Sequence, residues 1–160
     1  MRVRGGRGGV RVGSRGDDCQ NYWGGGLSAH SYKKEPDWGY RFWNPSSYKA
    51  YMSHIDSLER SKDLEVSFPT EQREKLSLHE SLTDFCHTHL RLTVGLSLAS
   101  LRQKYGEGLT ALVIERAKGL ESKGLLKLSQ NSAKLTRQGL FLSNQVFAEL
   151  LFSRSDVDRI

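Results

Sequence analysis

The residues best able to ligate a metal or to act as a general base in this 160-residue sequence are its five histidines. His87 and His89 are two positions apart, so on a helix their side chains point about 200° apart and cannot share a ligand site. The pair His79-Glu80 could begin a zinc-protease helix, but Thr83 stands where that motif needs its second histidine. We predict structural or surface roles for these three histidines and for the isolated His54.

The two cysteines cannot form a thiolate cluster within this chain. Cys19 and Cys86 are 67 positions apart, and neither has another cysteine nearby. This spacing offers neither a metal-ligand pair nor a disulfide framework, and it favours a reducing compartment. We expect no metal or cofactor held by this chain, and a cytoplasmic location, or a mitochondrial one in a eukaryote. No apolar run reaches the roughly 18–20 residues of a membrane span.

The glycine run Gly24–Gly26 could suggest a phosphate-binding loop. It lacks the Gly-Lys-Ser/Thr ending of such loops, and no apolar strand directly precedes it. The sequence also lacks the G-x-S-x-G elbow of hydrolases, and no pair of carboxylates can be argued to converge. The residues themselves therefore indicate a helical module with an aromatic-rich N-terminal segment and no catalytic residues.

The net charge of +6 comes almost entirely from the N-terminal tail. Residues 1–16 contain five arginines and no acid, whereas the remainder has 19 basic and 18 acidic residues. In the predicted helix Glu107–Lys123 the charges cancel, although a helix that reads a DNA duplex normally has positive surroundings. The pattern argues against nucleic acid as a partner. A winged-helix module that binds nucleic acid or protein stays the alternative function.

The segment 17–45 is predicted to be loop-like, yet it holds all three tryptophans. Large aromatic faces are costly to leave in water, so we expect this segment to pack against another surface. A short helix is predicted over Ser46–Leu58, capped by Ser46 or Ser47. Its expected apolar stripe consists of Tyr48, Tyr51, Met52, Ile55 and Leu58.

The residues from 71 to 153 predict a helical unit with one hairpin. Ser77–Glu80 is a capping-box pattern for the first helix, which could instead begin nearer Thr70, and Gly124 is placed for a left-handed helix end. The remaining predicted elements are helices Ser97–Tyr105 and Glu107–Lys123, a hairpin between Leu126 and Leu135, and a last helix, Arg137–Phe152, capped by Thr136. The predicted fold is mainly α with a small β-hairpin, in a winged-helix-like arrangement.

Several short motifs occur in a fixed order along residues 19–152. They are Gly24-Gly25-Gly26-Leu27-Ser28-Ala29-His30-Ser31, then Arg41-Phe42-Trp43-Asn44-Pro45, Leu90-Arg91-Leu92-Thr93-Val94-Gly95-Leu96, and Leu142-Ser143-Asn144-Gln145-Val146-Phe147. In types and spacing they resemble the C-terminal region of a family of radical S-adenosylmethionine proteins. That family contains the oxygen-independent coproporphyrinogen III oxidases and the haem chaperones, and is called HemN/HemW-like below.

The resemblance implies a division of the chain and a set of site residues. It suggests a disordered Arg/Gly tail at 1–18, the end of a radical S-adenosylmethionine barrel and a linker at 19–70, a HemN-type helical domain at 71–153, and a tail at 154–160. By the family motif, Gly24, Gly26, His30 and Ser31 would contribute to cofactor binding. The tryptophan-rich segment would then pack against parts of the barrel that are absent from this chain.

The resemblance also implies cofactors that this chain does not match. The family uses a [4Fe–4S] cluster, held by a C-x3-C-x2-C loop that is absent here, together with S-adenosylmethionine, and the chaperone branch binds haem. Tyr22-Trp23 is similar to the end of the chaperone branch's H-N-x-x-Y-W motif, although Asp18 and Cys19 replace its His and Asn. We therefore expect a C-terminal fragment or truncated relative, inactive alone and closer to haem delivery than to porphyrinogen oxidation. Its expected partners are the missing barrel and haem or a porphyrin.

Overall fold

The computed structural model describes residues 21, 24–34, 37–60 and 73–160. The predictions for the Arg/Gly tail, for Cys19, for Tyr22-Trp23 and for most of the linker before Thr70 lie outside the described residues. The elements in chain order are β1 (His30–Lys33), β2 (Tyr40–Trp43), α1 (Tyr48–Arg60), β3 (Arg73–Lys75), α2 (Leu78–Leu90), β4 (Leu96–Ser97), α3 (Leu98–Ser122), β5 (Leu126–Leu128), β6 (Ser132–Leu135), α4 (Arg137–Phe141), α5 (Ser143–Glu149) and α6 (Arg154–Val157).

Strands β1, β2 and β3 form an antiparallel sheet in that order, called the N-terminal sheet below. The prediction of loop-like structure is therefore wrong for 30–33 and 40–43 of the tryptophan-rich segment. Tyr40 and Phe42 are buried, whereas Arg41 and Trp43 between and after them are only half-buried. This two-residue alternation is the periodicity of a strand with one buried face, but it is too short to stand out against the glycines and prolines around it.

Helix α2 begins at the predicted capping box. Glu80 accepts hydrogen bonds from the backbone N–H of Ser77 at 2.8 Å and from its hydroxyl at 2.5 Å. The alternative start near Thr70 is wrong, because Arg73–Lys75 is a strand. The two helices predicted before Lys123 form one element, α3, which is divided at Gly106 by a left-handed φ of 81°. Gly124, with φ of 72°, follows the end of α3 as predicted.

The predicted hairpin is β5–β6, and β4 adds a third strand in the order β4-β6-β5. Thr136 caps the next helix as predicted, because its hydroxyl oxygen accepts from the Gly139 backbone N–H at 3.0 Å. The predicted helix Arg137–Phe152 is wrong in its length, since the chain leaves helical geometry at Leu142 and forms α4 and α5 instead. The break places Val146 in the core while Gly139 stays against the Leu125 backbone.

Helix α1 confirms the predicted cap and part of the predicted apolar stripe. The Ser47 hydroxyl accepts from the Ala50 backbone N–H at 3.2 Å. Tyr48 is 70% exposed and Met52 is 40% exposed, whereas Tyr51 and Ile55 are half-buried. The side of α1 that meets the rest of the chain therefore overlaps the stripe only in part, and it also includes the buried His54.

The helical body, defined here as α2–α5 with strands β4–β6, has one continuous core. Leucines from α2 and α3 lie at its centre, and Val146 and Leu150 close it from the C-terminal side. The fully buried Thr110 donates its hydroxyl to the Gly106 carbonyl at 2.7 Å, directly after the division of α3. The chain is thus mainly helical with small antiparallel sheets. No helix of the described residues is long and apolar enough to cross a membrane.

The N-terminal sheet docks on the helical body through one aromatic pair and one ionic cluster. Trp38 stacks on Tyr105 of α3, with ring centroids 5.9 Å apart and planes inclined by 11°. Arg41 binds Glu74 at 2.8 Å within the sheet and Asp84 of α2 at 3.2 Å. Burial raises the pKa of Asp84, and Arg41 opposes that shift. For Trp38, the expectation that its partner lies outside this chain is wrong.

Helix α6 is held to the helical body by Asp156, which binds Arg116 at 2.8 Å. Hydrogen bonds from the Ser153 hydroxyl and backbone N–H, followed by the contact with Arg116, lower the pKa of Asp156 to about 2 from 3.8. Because the folded pKa is depressed, the stabilisation is fully present above about pH 4 and is lost as the pH falls through 2.

We expect the protection of the α6 amides, meaning the ratio of intrinsic to observed exchange rate, to fall between about pH 4 and pH 2, and the Asp156 carboxyl to titrate near 2 by carbon-13 NMR. In the matched variant Asp156→Asn, the low protection of α6 should already be present at neutral pH and should no longer depend on acidification. A carboxyl that titrates near 4 would contradict the prediction.

Candidate functional site

The candidate site is the turn at residues 24–29, called the glycine turn below, which leads into β1. Gly26 has a φ of 109° and Ser28 a φ of 55°, so the backbone is left-handed at two positions. A Cβ at Gly24 would collide with the carbonyl oxygen of His30. Glycine is thus required at Gly24 by close approach and is strongly favoured at Gly26 by backbone conformation.

The side chain of Asn44 holds the glycine turn in place. Asn44 is buried, and its Nδ2 donates to the carbonyl oxygens of Gly24 at 3.0 Å and of Gly26 at 2.9 Å. Its own backbone N–H donates to the Ala29 carbonyl at 2.9 Å. One amide therefore satisfies two carbonyls that the strands cannot reach, and it fixes the distance across the turn.

Ser31 and Tyr51 satisfy the backbone N–H groups of the same turn. The Ser31 Oγ, which is buried, accepts from the Gly24 N–H at 3.0 Å. The Tyr51 hydroxyl accepts from the Gly26 N–H at 3.1 Å and so ties α1 to the turn. Three of the predicted site residues, Gly24, Gly26 and Ser31, are thus brought together by direct hydrogen bonds or by shared partners.

His30 lies beside this cluster but presents its ring to the exterior. It is exposed, and its ring centroid is 5.9 Å from that of Trp43, its register partner on β2. An exposed imidazole next to an aromatic face can ligate a metal or bind a flat ring. The structure places no other histidine in contact with it among the described residues, so His30 would act as a single ligand.

Asn44 and Tyr51 were not predicted as site residues, although both belong to sequence features singled out above. Asn44 is the fourth residue of Arg41–Pro45, and Tyr51 is in the predicted stripe of α1. Only their positions across the turn, 18 and 25 residues along the chain from Gly26, show what they do. No spacing of residues in a sequence predicts a hydrogen bond between positions so far apart in the chain.

Three of the other histidines, His79, His87 and His89, contact the protein's own backbone and hydroxyl groups. The Nε2 of His87 lies 2.9 Å from the Phe147 carbonyl, and burial lowers the pKa of His87. The Nδ1 of His89 lies 2.8 Å from the Phe85 carbonyl, and His79 contacts the Ser77 hydroxyl at 3.1 Å. Within the described ranges, no three His, Cys, Asp or Glu side chains are grouped to hold a metal.

The chain's cysteines do not fit an iron–sulfur cluster. Cluster irons are held by several thiolates, and this sequence contains two cysteines. Cys86 is fully buried in the core of the helical body, and burial raises its pKa to about 12. A thiol with that pKa remains protonated at neutral pH and does not bind metal as a thiolate.

Comparison with known sequences identifies the class of the helical body. Residues 76–142 match the profile of the HemN C-terminal domain. This stretch starts just before the capping box of α2 and ends at the break between α4 and α5, so it contains α2, α3, α4 and strands β4–β6. This part of the helical body is accordingly a HemN C-terminal domain.

Sequence similarity extends beyond that domain, which confirms the resemblance to the C-terminal region of HemN/HemW-like proteins seen in the motifs. The chain is 31% identical over 132 residues to the Heme chaperone HemW of Bacillus subtilis (strain 168), an alignment that covers 82% of this chain and 32% of that protein. The chain thus spans about a third of the length of this curated relative. No solved structure matches the chain.

Proposed function

We propose that the chain serves as the C-terminal region of a HemN/HemW-like protein of haem delivery, and that it is inactive alone as a radical enzyme. The observation that carries the proposal is the extent of the match to the Heme chaperone HemW. The aligned 132 residues are far more than the domain at 76–142, and only 18 residues follow that domain. Any stretch of 132 residues within a chain of 160 includes residues 29–132, so the match contains β1, β2 and the Arg41–Pro45 motif as well as most of the helical body.

The proposed partner is a radical S-adenosylmethionine barrel. The N-terminal sheet supports this, because it is small and its outer strands β1 and β3 each have one unpaired edge among the described residues. Unpaired edges can accept a further strand. We propose that the sheet is the edge of the barrel and that Gly24, Gly26, His30 and Ser31 face the cofactor side, with the iron–sulfur cluster supplied by cysteines other than those described here.

The helical body further supports a winged-helix-like arrangement. A helix, a short strand, a divided helix and a hairpin follow one another, with strand order β4-β6-β5. In such domains the second part of α3 would be the DNA-reading helix. Residues 107–122 contain three acidic and two basic residues, so we propose a role in packing against protein, with nucleic-acid binding as the alternative.

The proposal predicts that the purified chain does not cleave S-adenosylmethionine and does not bind haem specifically. After iron–sulfur reconstitution and addition of a reductant, we expect no 5′-deoxyadenosine by liquid chromatography, because this chain's cysteines do not fit the cluster. In a haem titration, we expect no saturable shift of the Soret band at one equivalent.

His30→Ala is the informative variant for the haem titration, and His79→Ala, at a half-buried histidine on α2, is its control. A stoichiometric Soret shift that vanished only in His30→Ala would show that the chain binds haem without the barrel. Formation of 5′-deoxyadenosine would show that the chain holds a working cluster. Either result would contradict inactivity of the isolated chain, whereas restoration of activity by an added barrel domain would support the proposed partner.

A further inference from the structure

One end of the helical body exposes a group of large apolar side chains, called the apolar tip below. Phe141 is 79% exposed and Leu140 is 60% exposed. The tip accounts for five of the ten large hydrophobic residues that are exposed among the described residues. Single exposed apolar residues are common, but a group of them on neighbouring elements marks an interaction surface. The members of the tip are Leu92, Val94, Leu140, Phe141 and Leu142.

Packing contacts bring the members of the tip to the same end of the helical body. The first two members lie in the turn at 92–95, which follows α2. A Cβ at Gly95 would lie 2.5 Å from the Cγ of Lys134 on β6. The Arg91 guanidinium, just before the turn, lies 4.5 Å from the centroid of the Phe147 ring on α5. The turn is therefore placed between β6 and α5, and α4, which joins those two elements in the chain, holds the rest of the tip.

The two stretches of chain that build this end contain no acidic residue. Residues 85–98 and 123–148 hold five lysines and arginines and no aspartate or glutamate. Lys123 binds Glu149 at 3.0 Å. The other four are exposed and form no ion pair with a described residue, and they are Arg91, Lys127, Lys134 and Arg137. The surroundings of the apolar tip are therefore positively charged.

Two of these cations face each other across the β5–β6 hairpin. Lys127 and Lys134 are register partners on adjacent antiparallel strands, so their side chains lie on the same face of the sheet. Like charges directly opposite each other destabilise a sheet, and an anion bound over the pair would relieve that repulsion. Glu121 of α3 accepts from the Leu128 backbone N–H at 2.8 Å, but its one charge leaves the hairpin positive.

We propose that the apolar tip and the cations around it form a docking surface for a membrane of anionic phospholipids. The apolar side chains of the tip enter the boundary between headgroups and acyl chains, and the four cations meet the lipid phosphates. One such signal gives only weak membrane binding, whereas an apolar anchor together with basic residues gives a stable one. The inference does not depend on the proposed role in haem delivery.

The helix break at Leu142 favours lipid over a groove on a partner protein. A groove takes one face of a helix, with anchor residues three or four positions apart. Leu140, Phe141 and Leu142 are consecutive and all exposed, and successive residues of a helix point about 100° apart. Lipid chains adapt to side chains that point in several directions. The positive surroundings select anionic headgroups over zwitterionic ones.

The test is sedimentation of the chain with sucrose-loaded vesicles at physiological ionic strength. One set of vesicles contains phosphatidylcholine alone, and the other contains equal amounts of phosphatidylcholine and phosphatidylglycerol. We expect binding to the anionic vesicles and at least roughly tenfold weaker binding to the neutral ones. Phe141→Ser should weaken binding to the anionic vesicles roughly tenfold, because the phenylalanine side chain no longer leaves water. Lys134→Gln should weaken it roughly fivefold.

The matched controls for these variants come from α1. Tyr48→Ser removes an aromatic side chain that is 70% exposed, and Lys49→Gln removes an exposed lysine. Both variants should bind the anionic vesicles as the wild type does. The five arginines of residues 1–16 could also bind anionic lipid, but every variant retains them. Binding due to those arginines would be unchanged in Phe141→Ser, and that result would overturn the proposal.

Measurements without vesicles separate the proposal from other roles of the same surface. Because Phe141 is exposed, Phe141→Ser should keep the midpoint temperature of thermal unfolding, and a clear fall would show a structural contact instead. Sedimentation velocity should show a monomer, whereas a dimer that Phe141→Ser dissociates would assign the tip to a second copy of the chain. Binding of a DNA duplex that Lys134→Gln weakens, without binding of vesicles, would assign the cations to nucleic acid. Each of these three results, or equal binding to neutral and anionic vesicles, would overturn the proposal.

Discussion

Replacing Trp38 by alanine is expected to lower the free energy of unfolding by about 2–4 kcal/mol. Truncation of a buried tryptophan costs about 3–5 kcal/mol, and Trp38 is only partly buried against the core. The cost is large because Trp38 stacks on Tyr105 and is the main apolar contact between the N-terminal sheet and α3. The loss should be measured by urea denaturation followed by far-ultraviolet circular dichroism.

The matched control is Trp43→Ala, which removes the same kind of side chain from β2, five residues along the chain. Both tryptophans are half-buried, and the ring contact of Trp43 among the described residues is with the exposed His30. We expect a loss of less than about half that of Trp38→Ala, since Trp38 packs against the core of the helical body and Trp43 does not. Equal losses for both variants would show that Trp38 does not dock the sheet on the helical body. Hydrogen exchange should show faster opening of β1 and β2 in Trp38→Ala, with α2 and α3 still protected.

Replacing Asn44 by alanine is expected to lower the free energy of unfolding by about 2–4 kcal/mol and to release the glycine turn. The two carbonyls that Nδ2 serves, those of Gly24 and Gly26, would each lose a donor. An unsatisfied buried acceptor costs about 1–3 kcal/mol, and water that enters the opened turn would recover part of it. The backbone N–H of Asn44 is retained in the variant, so β2 should keep its pairing with β1.

The control for Asn44 is Asn131→Ala, an exposed asparagine in the turn between β5 and β6. Its backbone carbonyl accepts from the Leu98 N–H and is unaffected by the substitution, so the stability should change by less than about 0.5 kcal/mol. The amide resonances of Gly24 and Gly26 should shift in Asn44→Ala and stay in place in Asn131→Ala. Unchanged glycine resonances in Asn44→Ala would contradict the role assigned to its side chain.

Local sequence determined the parts of the fold that depend on neighbouring residues. The capping box Ser77–Glu80 sets the start of α2 through hydrogen bonds three positions apart, and Thr136 sets the start of α4 in the same way. Gly124 marks the end of α3 because a left-handed residue is needed there. The order of the short motifs along residues 19–152 also predicted the resemblance to the HemN/HemW-like family.

The sequence predicted which residues belong to the candidate site, but not which side chains hold them in place. Gly24, Gly26 and Ser31 follow from the family motif, and the structure adds Asn44 and Tyr51 as the groups that hold the turn. These contacts join residues 18 to 25 positions apart, and local pattern contains no information on which distant donor meets which carbonyl. Their role in cofactor binding stays a prediction.

Tertiary structure alone decided which surfaces became buried. Residues 30–43 form two strands because Tyr40 and Phe42 gain burial in a sheet, a gain that outweighs the turn-forming residues around them. The last predicted helix breaks at Leu142, whose φ of −103° and ψ of 28° are not helical, and α5 then places Val146 in the core. The stacking of Trp38 on Tyr105 and of the Arg73 guanidinium on the Tyr40 ring each requires that separate parts of the chain come together. Helix ends are determined by hydrogen bonds between residues a few positions apart. The burial of side chains depends on contacts between residues that are distant in the chain.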